Sequence, residues 1–414
     1  MNREELIALC LNARKAQTTL ARSGINTRNA ALEAIADRIV RDAELVVKAN
    51  TADLEAARAS GMNEAMCDRL RLDRARIEKL AASVRKLKAL PDPLGKSEGS
   101  SRPNGLKIQK VSVPLGNVAV IYEARPNVTV DIAAICIKSG NAAILRGGKE
   151  AYNTNTALET SMRAALDGTG IDPAVISLVH DTSRASSEAL MKLNGYVDVL
   201  IPRGGKGLIN TVVENASVPV IETGAGNCHI YVDSAADFDK ALKILINAKV
   251  SRPSVCNSAE KLLVHANIAE RFLPLAAKQL AENRVELRGD GTVCRIVKAI
   301  PATEDDLTRE YNDYIMTAYV VPSIDEAIAH INTYSTHHSE AIITEKLESA
   351  EKFCTEIDSA AVYVNSSTRF TDGEEFGFGA EIGISTQKLH VRGPFALEGL
   401  TTYKYLIVGN GQTR

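Results

Sequence analysis

No Cys-x-x-Cys pair occurs in this chain, and its seven cysteines (10, 67, 136, 228, 256, 294 and 354) are odd in number and scattered. That argues against a zinc ribbon and against a disulfide scaffold. A cytoplasmic protein with reduced thiols is expected. An excess of either charge is missing too: 49 Lys and Arg face 51 Asp and Glu, a net of −2, which offers no basic surface to nucleic acid or membrane. No apolar run reaches the ~18 residues that would span a bilayer. The start, Met1-Asn-Arg-Glu-Glu5, has no apolar h-region of the secretory kind. Repeats and low-complexity tracts are absent. So is a G-x-G-x-x-G placed between a strand and a helix, the usual dinucleotide fingerprint.

What is present is an ordinary globular composition, 45% hydrophobic and 24% charged, in 414 residues, enough for two or more domains. The first hundred residues read as helical. Leu32, Ile35, Ala36, Ile39 and Val40 share one face, and Ile77, Leu80, Ala81, Val84 and Leu87 repeat the pattern. Gly61 is placed to end one helix, and Pro91 and Pro93 to stop another. Residues 92–104, rich in Gly, Ser, Pro and Asn, read as a loop.

From there short apolar runs alternate with helical stretches. Strands are expected at 106–113, 118–122, 142–145, 175–179, 197–201, 218–221, 229–232, 261–265, 315–321, 341–344 and 360–364. Helices fall between most of them. This rhythm specifies βαβ units and parallel sheets, an α/β fold. The segments 104–115 and 400–408 are rich in β-formers but do not fit the alternation.

Cys256 stands in Ser251-Arg-Pro-Ser-Val-Cys-Asn-Ser-Ala-Glu260, a polar, proline-containing loop ahead of the apolar Leu262-Leu-Val264. A thiol there suits nucleophilic attack on a carbonyl once ionised. The other six cysteines read as small core residues. Two glycine turns follow strands. Ile201-Pro-Arg-Gly-Gly-Lys-Gly207 reads as a phosphate contact or as a tight connection, and Leu145-Arg-Gly-Gly-Lys-Glu150 as a cation-bearing site or a solvated turn. The adjacent His337 and His338 read as surface or loop residues, since neighbours do not face one site. Asp305-Asp306 and Glu374-Glu375 read as solvated charges.

Several stretches carry a resemblance: Val113 to Asp131 with its Arg125-Pro-Asn-Val128, Lys138-Ser-Gly-Asn141, Ile144 to Ala151, Ile221-Glu-Thr-Gly-Ala-Gly226 onward to Asp233, Arg252 to Asn257, Arg392-Gly-Pro394 and Glu398 to Tyr405. Through them the whole chain resembles the aldehyde dehydrogenase superfamily, and within it the branch that reduces an acyl phosphate in proline biosynthesis. The superfamily places a glutamate 34 residues before its cysteine, as Glu222 stands before Cys256.

The resemblance implies two Rossmann-like parallel-sheet α/β domains plus a β-hairpin oligomerisation flap. By it, 1–103 and 116–226 form the cofactor-binding domain, 227–366 the catalytic domain, 367–388 a return segment, and 104–115 with 389–414 the flap. It assigns Cys256 as nucleophile, Asn127 with the Cys256 amide as oxyanion holders, and Glu222 as the superfamily's glutamate. Arg146, Lys149, Gly204, Gly205 and Glu310 are matched to cofactor contacts, Lys149 favouring NADP(H). Arg252 reads as a phosphate ligand or as half of a structural ion pair, with Arg125 beside it by motif; no metal is implied.

The implied reaction is NADPH-dependent reduction of L-glutamyl 5-phosphate. A hydrolytic aldehyde dehydrogenase and a non-catalytic scaffold relative are the alternatives. A homodimer or homotetramer, and coupling to a glutamate 5-kinase, are the implied associations. The Glu222-Thr-Gly-Ala-Gly226 motif departs from the Glu-Leu-Gly-Gly of hydrolytic relatives, which use the glutamate to activate water.

Overall fold

The computed structural model describes all 414 residues, the side chain of Ala65 excepted. The chain forms two compact units. The first holds Met1–Glu222, Gly377–Gly383 and Phe395–Arg414; the second holds Thr223–Phe376 and Ile384–Pro394.

The first unit opens with helices α1 (Arg3–Leu20), α2 (Ile25–Arg41), α3 (Ala43–Ala59), α4 (Glu64–Leu70) and α5 (Arg74–Ala89). Asn2 caps α1 in a reciprocal capping box with Glu5, satisfying amides that would otherwise lack partners. Leu32, Ile35, Ala36 and Ile39 of α2 are fully buried, as the helical period requires. Strands β1 (Ser97–Ser101) and β2 (Lys107–Pro114) form an antiparallel hairpin. The loop expected over 92–104 therefore contains a strand. Its Gly-Ser composition hid it, because an exposed edge strand gains nothing from an apolar face.

Beyond the hairpin come β3 (Asn117–Tyr122), α6 (Asn127–Lys138), β4 (Ala142–Gly147), α7 (Tyr152–Ala165), β5 (Ile176–Leu178), α8 (Arg184–Met191), β6 (Val199–Arg203) and α9 (Lys206–Asn215). The four strands lie parallel in the order β5-β4-β3-β6. The order reverses between β3 and β6, whose last residues, Tyr122 and Arg203, are paired. The strand expected at 218–221 is reduced to one bridge between Leu200 and Val220. Pro219 lacks the amide hydrogen that a longer ladder needs.

The second unit runs β7 (Cys228–Val232), α10 (Phe238–Val250), β8 (Ala259–His265), α11 (Ala266–Glu282), β9 (Glu286–Gly289), α12 (Gly291–Ile296), β10 (Ile300–Pro301), α13 (Asp305–Thr308), β11 (Ile315–Val321), α14 (Ile324–Tyr334), β12 (Ser339–Ile343), α15 (Leu347–Glu356) and β13 (Ala361–Val364). These strands build a seven-stranded parallel sheet, β10-β9-β11-β8-β7-β12-β13. The elements between 286 and 308 escaped the sequence reading, being too short to show a period. One core packs α10 and α11 on the sheet through Leu245, Phe272, Leu273 and Leu262. A second packs α14 and α15 on the other face through Ile331, Phe353 and Tyr231.

The last strand, β14 (Thr401–Val408), returns to the hairpin and pairs antiparallel with all of β2, Thr401 against Pro114 and Val408 against Lys107. The sheet order β1-β2-β14 unites the two segments that the alternation could not place.

Candidate active site

In the first unit the residues matched to cofactor binding gather at the carboxyl ends of β3, β4 and β6. In open α/β sheets ligands bind outside these ends, where the strand order reverses. Gly204 and Gly205 follow β6, and Gly205 is the N-terminal cap of α9, with no side chain serving the helix amides. A side chain at Gly204 would meet Glu123 Oε2 at 2.4 Å, whereas space around Gly205 is open. The Gly205 N–H donates to Glu123 Oε2 at 3.0 Å. That amide donates to an anionic oxygen, the interaction a pyrophosphate needs. These residues fit a dinucleotide.

Arg146 at the end of β4 donates to the carbonyls of Thr182 (2.7 Å) and Ser183 (2.8 Å). Burial depresses its guanidinium. Lys149 is exposed in the single turn after Gly148, while its neighbour Glu150 accepts the Ala124 amide at 2.6 Å. Ala124 itself takes a positive φ of 32°. This sharp turn, followed by Arg125 and Pro126, delivers Asn127 to the first position of α6. The Asn127 amide donates to Asp131 one turn on, at 3.0 Å. Burial raises the Asp131 carboxyl to about 6. Glu222 is the last residue of this unit.

The second unit places the Cys256 loop at the amino-terminal edge of its sheet, opposite to the edge that α/β sheets normally use. Helix α10 ends at Val250, and Pro253 prevents its continuation. Cys256 sits half-buried in the turn before β8. Gly226 lies directly beneath it: a β-carbon there would fall 1.4 Å from the Cys256 carbonyl oxygen. Only glycine allows this approach. The Gly226 N–H donates to Glu310 Oε1 at 2.8 Å, which draws the residue matched to ribose binding to the loop under Cys256. Cys228, at the start of β7, donates its thiol to the same Cys256 carbonyl at 3.1 Å. Burial pushes the Cys228 thiol far up, so it serves as a neutral donor.

Two residues read as surface groups are interior. His338 is fully buried, with Nδ1 2.8 Å from Ser339 Oγ and 3.7 Å from Cys228 Sγ. Burial lowers its imidazole to about 4. Asp306 is also buried. Burial alone would raise its carboxyl, but hydrogen bonds from Tyr311, Thr303 and Arg288 outweigh it and hold the group well below the usual carboxylate range. It thereby braces Tyr311 next to Glu310. Glu374 and Glu375 are exposed as expected.

Beneath the loop, Lys249 and Glu260 form a buried ion pair at 2.9 Å, and Lys261 donates to the Arg309 carbonyl at 2.7 Å. Burial pushes Glu260 up to about 7 and Lys261 down to about 8.

Arg252 is exposed on the Cys256 loop and takes no part in an ion pair among the described residues. The sequence reading missed Arg369, which reaches the same loop from beyond β13. Its Nε donates to Ser251 Oγ at 3.0 Å and its Nη1 to Asn257 Oδ1. No sequence signal marks it, because it lies 112 residues beyond Asn257 and only the fold joins them.

The family model described as aldehyde dehydrogenase family matches residues 1–294. A gamma-glutamyl phosphate reductase of Lachnospira eligens is 53% identical over 413 residues, covering 99% of this chain and 100% of the relative. The crystal structure of gamma-glutamyl phosphate reductase from Thermotoga maritima matches with a TM-score of 0.97 at 46% identity, over 99% of this chain and 100% of that one. An acetylating aldehyde dehydrogenase from Geobacillus thermoglucosidasius, 17% identical, shares the fold with a TM-score of 0.70 over 100% of this chain and 98% of its own. This chain belongs to the aldehyde dehydrogenase family of oxidoreductases, on its gamma-glutamyl phosphate reductase branch.

Proposed function

We propose that this chain reduces L-glutamyl 5-phosphate to L-glutamate 5-semialdehyde and phosphate in proline biosynthesis, with NADPH as reductant and Cys256 as nucleophile. The observation that carries the reading is the 53% identity to a gamma-glutamyl phosphate reductase over 99% of the chain, with a cysteine seated on Gly226 at the matching motif.

The Cys256 sulfur attacks the acyl carbon. The carbonyl oxygen takes up negative charge, which the Asn127 amide and the Cys256 N–H are assigned to hold; losing one such donor costs roughly a hundred- to a thousandfold in rate. The carbon–oxygen bond to phosphate breaks, phosphate leaves with the electron pair, and a thioester remains on Cys256. The dinucleotide, assigned to Gly204, Gly205, Arg146, Lys149 and Glu310, supplies when bound the hydride that takes this thioester to the aldehyde level. The Cys256 sulfur then departs as thiolate and the semialdehyde is released. Lys149 is assigned to the 2′-phosphate of NADPH through a charge-assisted hydrogen bond. Glu222 need not activate water, because phosphate and not hydroxide exchanges with the thioester. A homodimer or homotetramer assembled through the β1-β2-β14 sheet, and coupling to a glutamate 5-kinase that supplies the labile substrate, complete the reading.

The test runs the reaction backwards, with semialdehyde, NADP and phosphate, each omitted in turn. NADPH formation should rise saturably with phosphate, arsenate should substitute, and Cys256→Ala should abolish it. Full-rate oxidation in phosphate-free buffer, lost on Glu222→Gln, would establish a hydrolytic dehydrogenase instead.

A further inference from the structure

Arg252 lies on the short loop around Cys256, and Arg369 brings a second guanidinium to that loop from beyond β13. Arg369 bridges both shoulders of that loop, Ser251 on one side and Asn257 on the other. Asn257 is fixed in turn: its Nδ2 donates to the Thr371 carbonyl at 2.9 Å, and its own carbonyl accepts the Thr368 hydroxyl at 2.7 Å. The guanidinium is therefore held in place before any ligand arrives.

Both acceptors of Arg369 are neutral, a hydroxyl and an amide oxygen. They use two of its five N–H groups and leave three for a ligand. Burial and the like charge of Arg252 depress the guanidinium, opposed by Asp372 and by Cys256. A cation that is half-buried, next to a second cation, and bonded only to neutral groups is poorly compensated. An anion bound between the two arginines removes that imbalance, and planar guanidinium donors match phosphate oxygens.

We propose that Arg369, together with Arg252, binds the phosphate group that Cys256 displaces. This rests on the phosphate-releasing reading above. Arg369 anchors the departing dianion beside the sulfur, and in reverse it holds inorganic phosphate for attack on the thioester.

Two measurements on Arg369→Gln, Arg369→Lys and Arg252→Gln test it. In the first, Cys256 is alkylated without turnover by anionic iodoacetate and by neutral iodoacetamide, with the modified peptide quantified by mass spectrometry. The wild-type iodoacetate-to-iodoacetamide rate ratio should fall at least fivefold in Arg369→Gln, and inorganic phosphate should protect the wild type but not this variant. In the second, semialdehyde oxidation is titrated with phosphate. The KM for phosphate should rise at least tenfold in Arg369→Gln, with the KM for semialdehyde within twofold, and Arg369→Lys should recover part of the loss.

An unchanged alkylation ratio with unchanged phosphate KM overturns the proposal. So does a rise confined to the semialdehyde KM, which would give Arg369 to the substrate's carboxylate. If Arg369→Gln perturbs the loop enough to slow iodoacetamide itself, Arg369→Lys decides: behaviour as poor as the Gln variant rejects a charge-based role. Should wild-type oxidation need no phosphate while phosphate still protects Cys256 through Arg369, the anion site stands and the reaction assignment falls.

Discussion

Adding one methyl group at Gly226 tests how the Cys256 loop is seated. A β-carbon built there lies 1.4 Å from the Cys256 carbonyl oxygen, 2.3 Å from its carbonyl carbon and 2.7 Å from its α-carbon. All three are backbone atoms, so no side-chain rotation relieves the clash. Reaching the 3.0 Å below which β-carbon contacts are essentially never seen requires about 1.6 Å of relative movement between the two segments. A misplacement of about 1 Å can cost roughly a hundredfold in rate.

Gly226→Ala should therefore lower kcat at least about a hundredfold, or about 2.7 kcal/mol of barrier. It should also loosen the Gly226–Glu310 hydrogen bond and the Cys228–Cys256 contact. Stopped-flow reduction assays and iodoacetamide labelling of Cys256 report the two effects, with thermal unfolding as the check on folding. Gly291→Ala is the control: space there is open and the site is helical, so alanine should be neutral or stabilising by up to about 1 kcal/mol. A Gly226→Ala enzyme with kcat within fivefold of wild type and unaltered labelling would refute the account of the loop.

Three other outcomes are expected. Lys149→Glu should weaken NADPH relative to NADH in steady-state competition, and equal use of the two by the wild type would remove the role given to Lys149. His338 is held at about 4 by burial, against about 6.5 when unfolded. The unfolded chain thus binds the extra proton between these values, and stability at this site is lost as pH falls through that window, by up to about 3 kcal/mol. The stability difference between wild type and His338→Gln, followed by urea unfolding, should shrink from pH 7 to pH 4.5. Comparing the two proteins isolates the imidazole from Glu260 and Asp131, whose raised carboxyls titrate in the opposite sense, and a constant difference would contradict the burial argument. Deleting residues 401–414 strips β2 of its neighbour and removes the exposed Tyr403, Tyr405, Leu406, Ile407 and Val408, so light scattering should show a changed number of chains per particle.

The sequence by itself determined the α/β class, because strands such as Asn117–Tyr122 are apolar runs buried on both faces, and the helices between them keep a 3.6-residue period. It singled out Cys256 by its polar, proline-containing loop, whereas Asn127 and the glycine turns gained a site role only through the family resemblance. Only the tertiary structure decided the rest. Strand β1 has no apolar face to display a pattern and exists because β2 offers it hydrogen bonds. Asp306 and His338 look like any surface charge or histidine until strands and helices close over them. Gly226 beneath Cys256, and Arg369 across the Cys256 loop, are separated from it by 30 and 113 residues, so nothing local signals them. Periodicity reports which side of an element is buried; it does not report what is packed against that side, and that is where Gly226 and Arg369 meet the Cys256 loop.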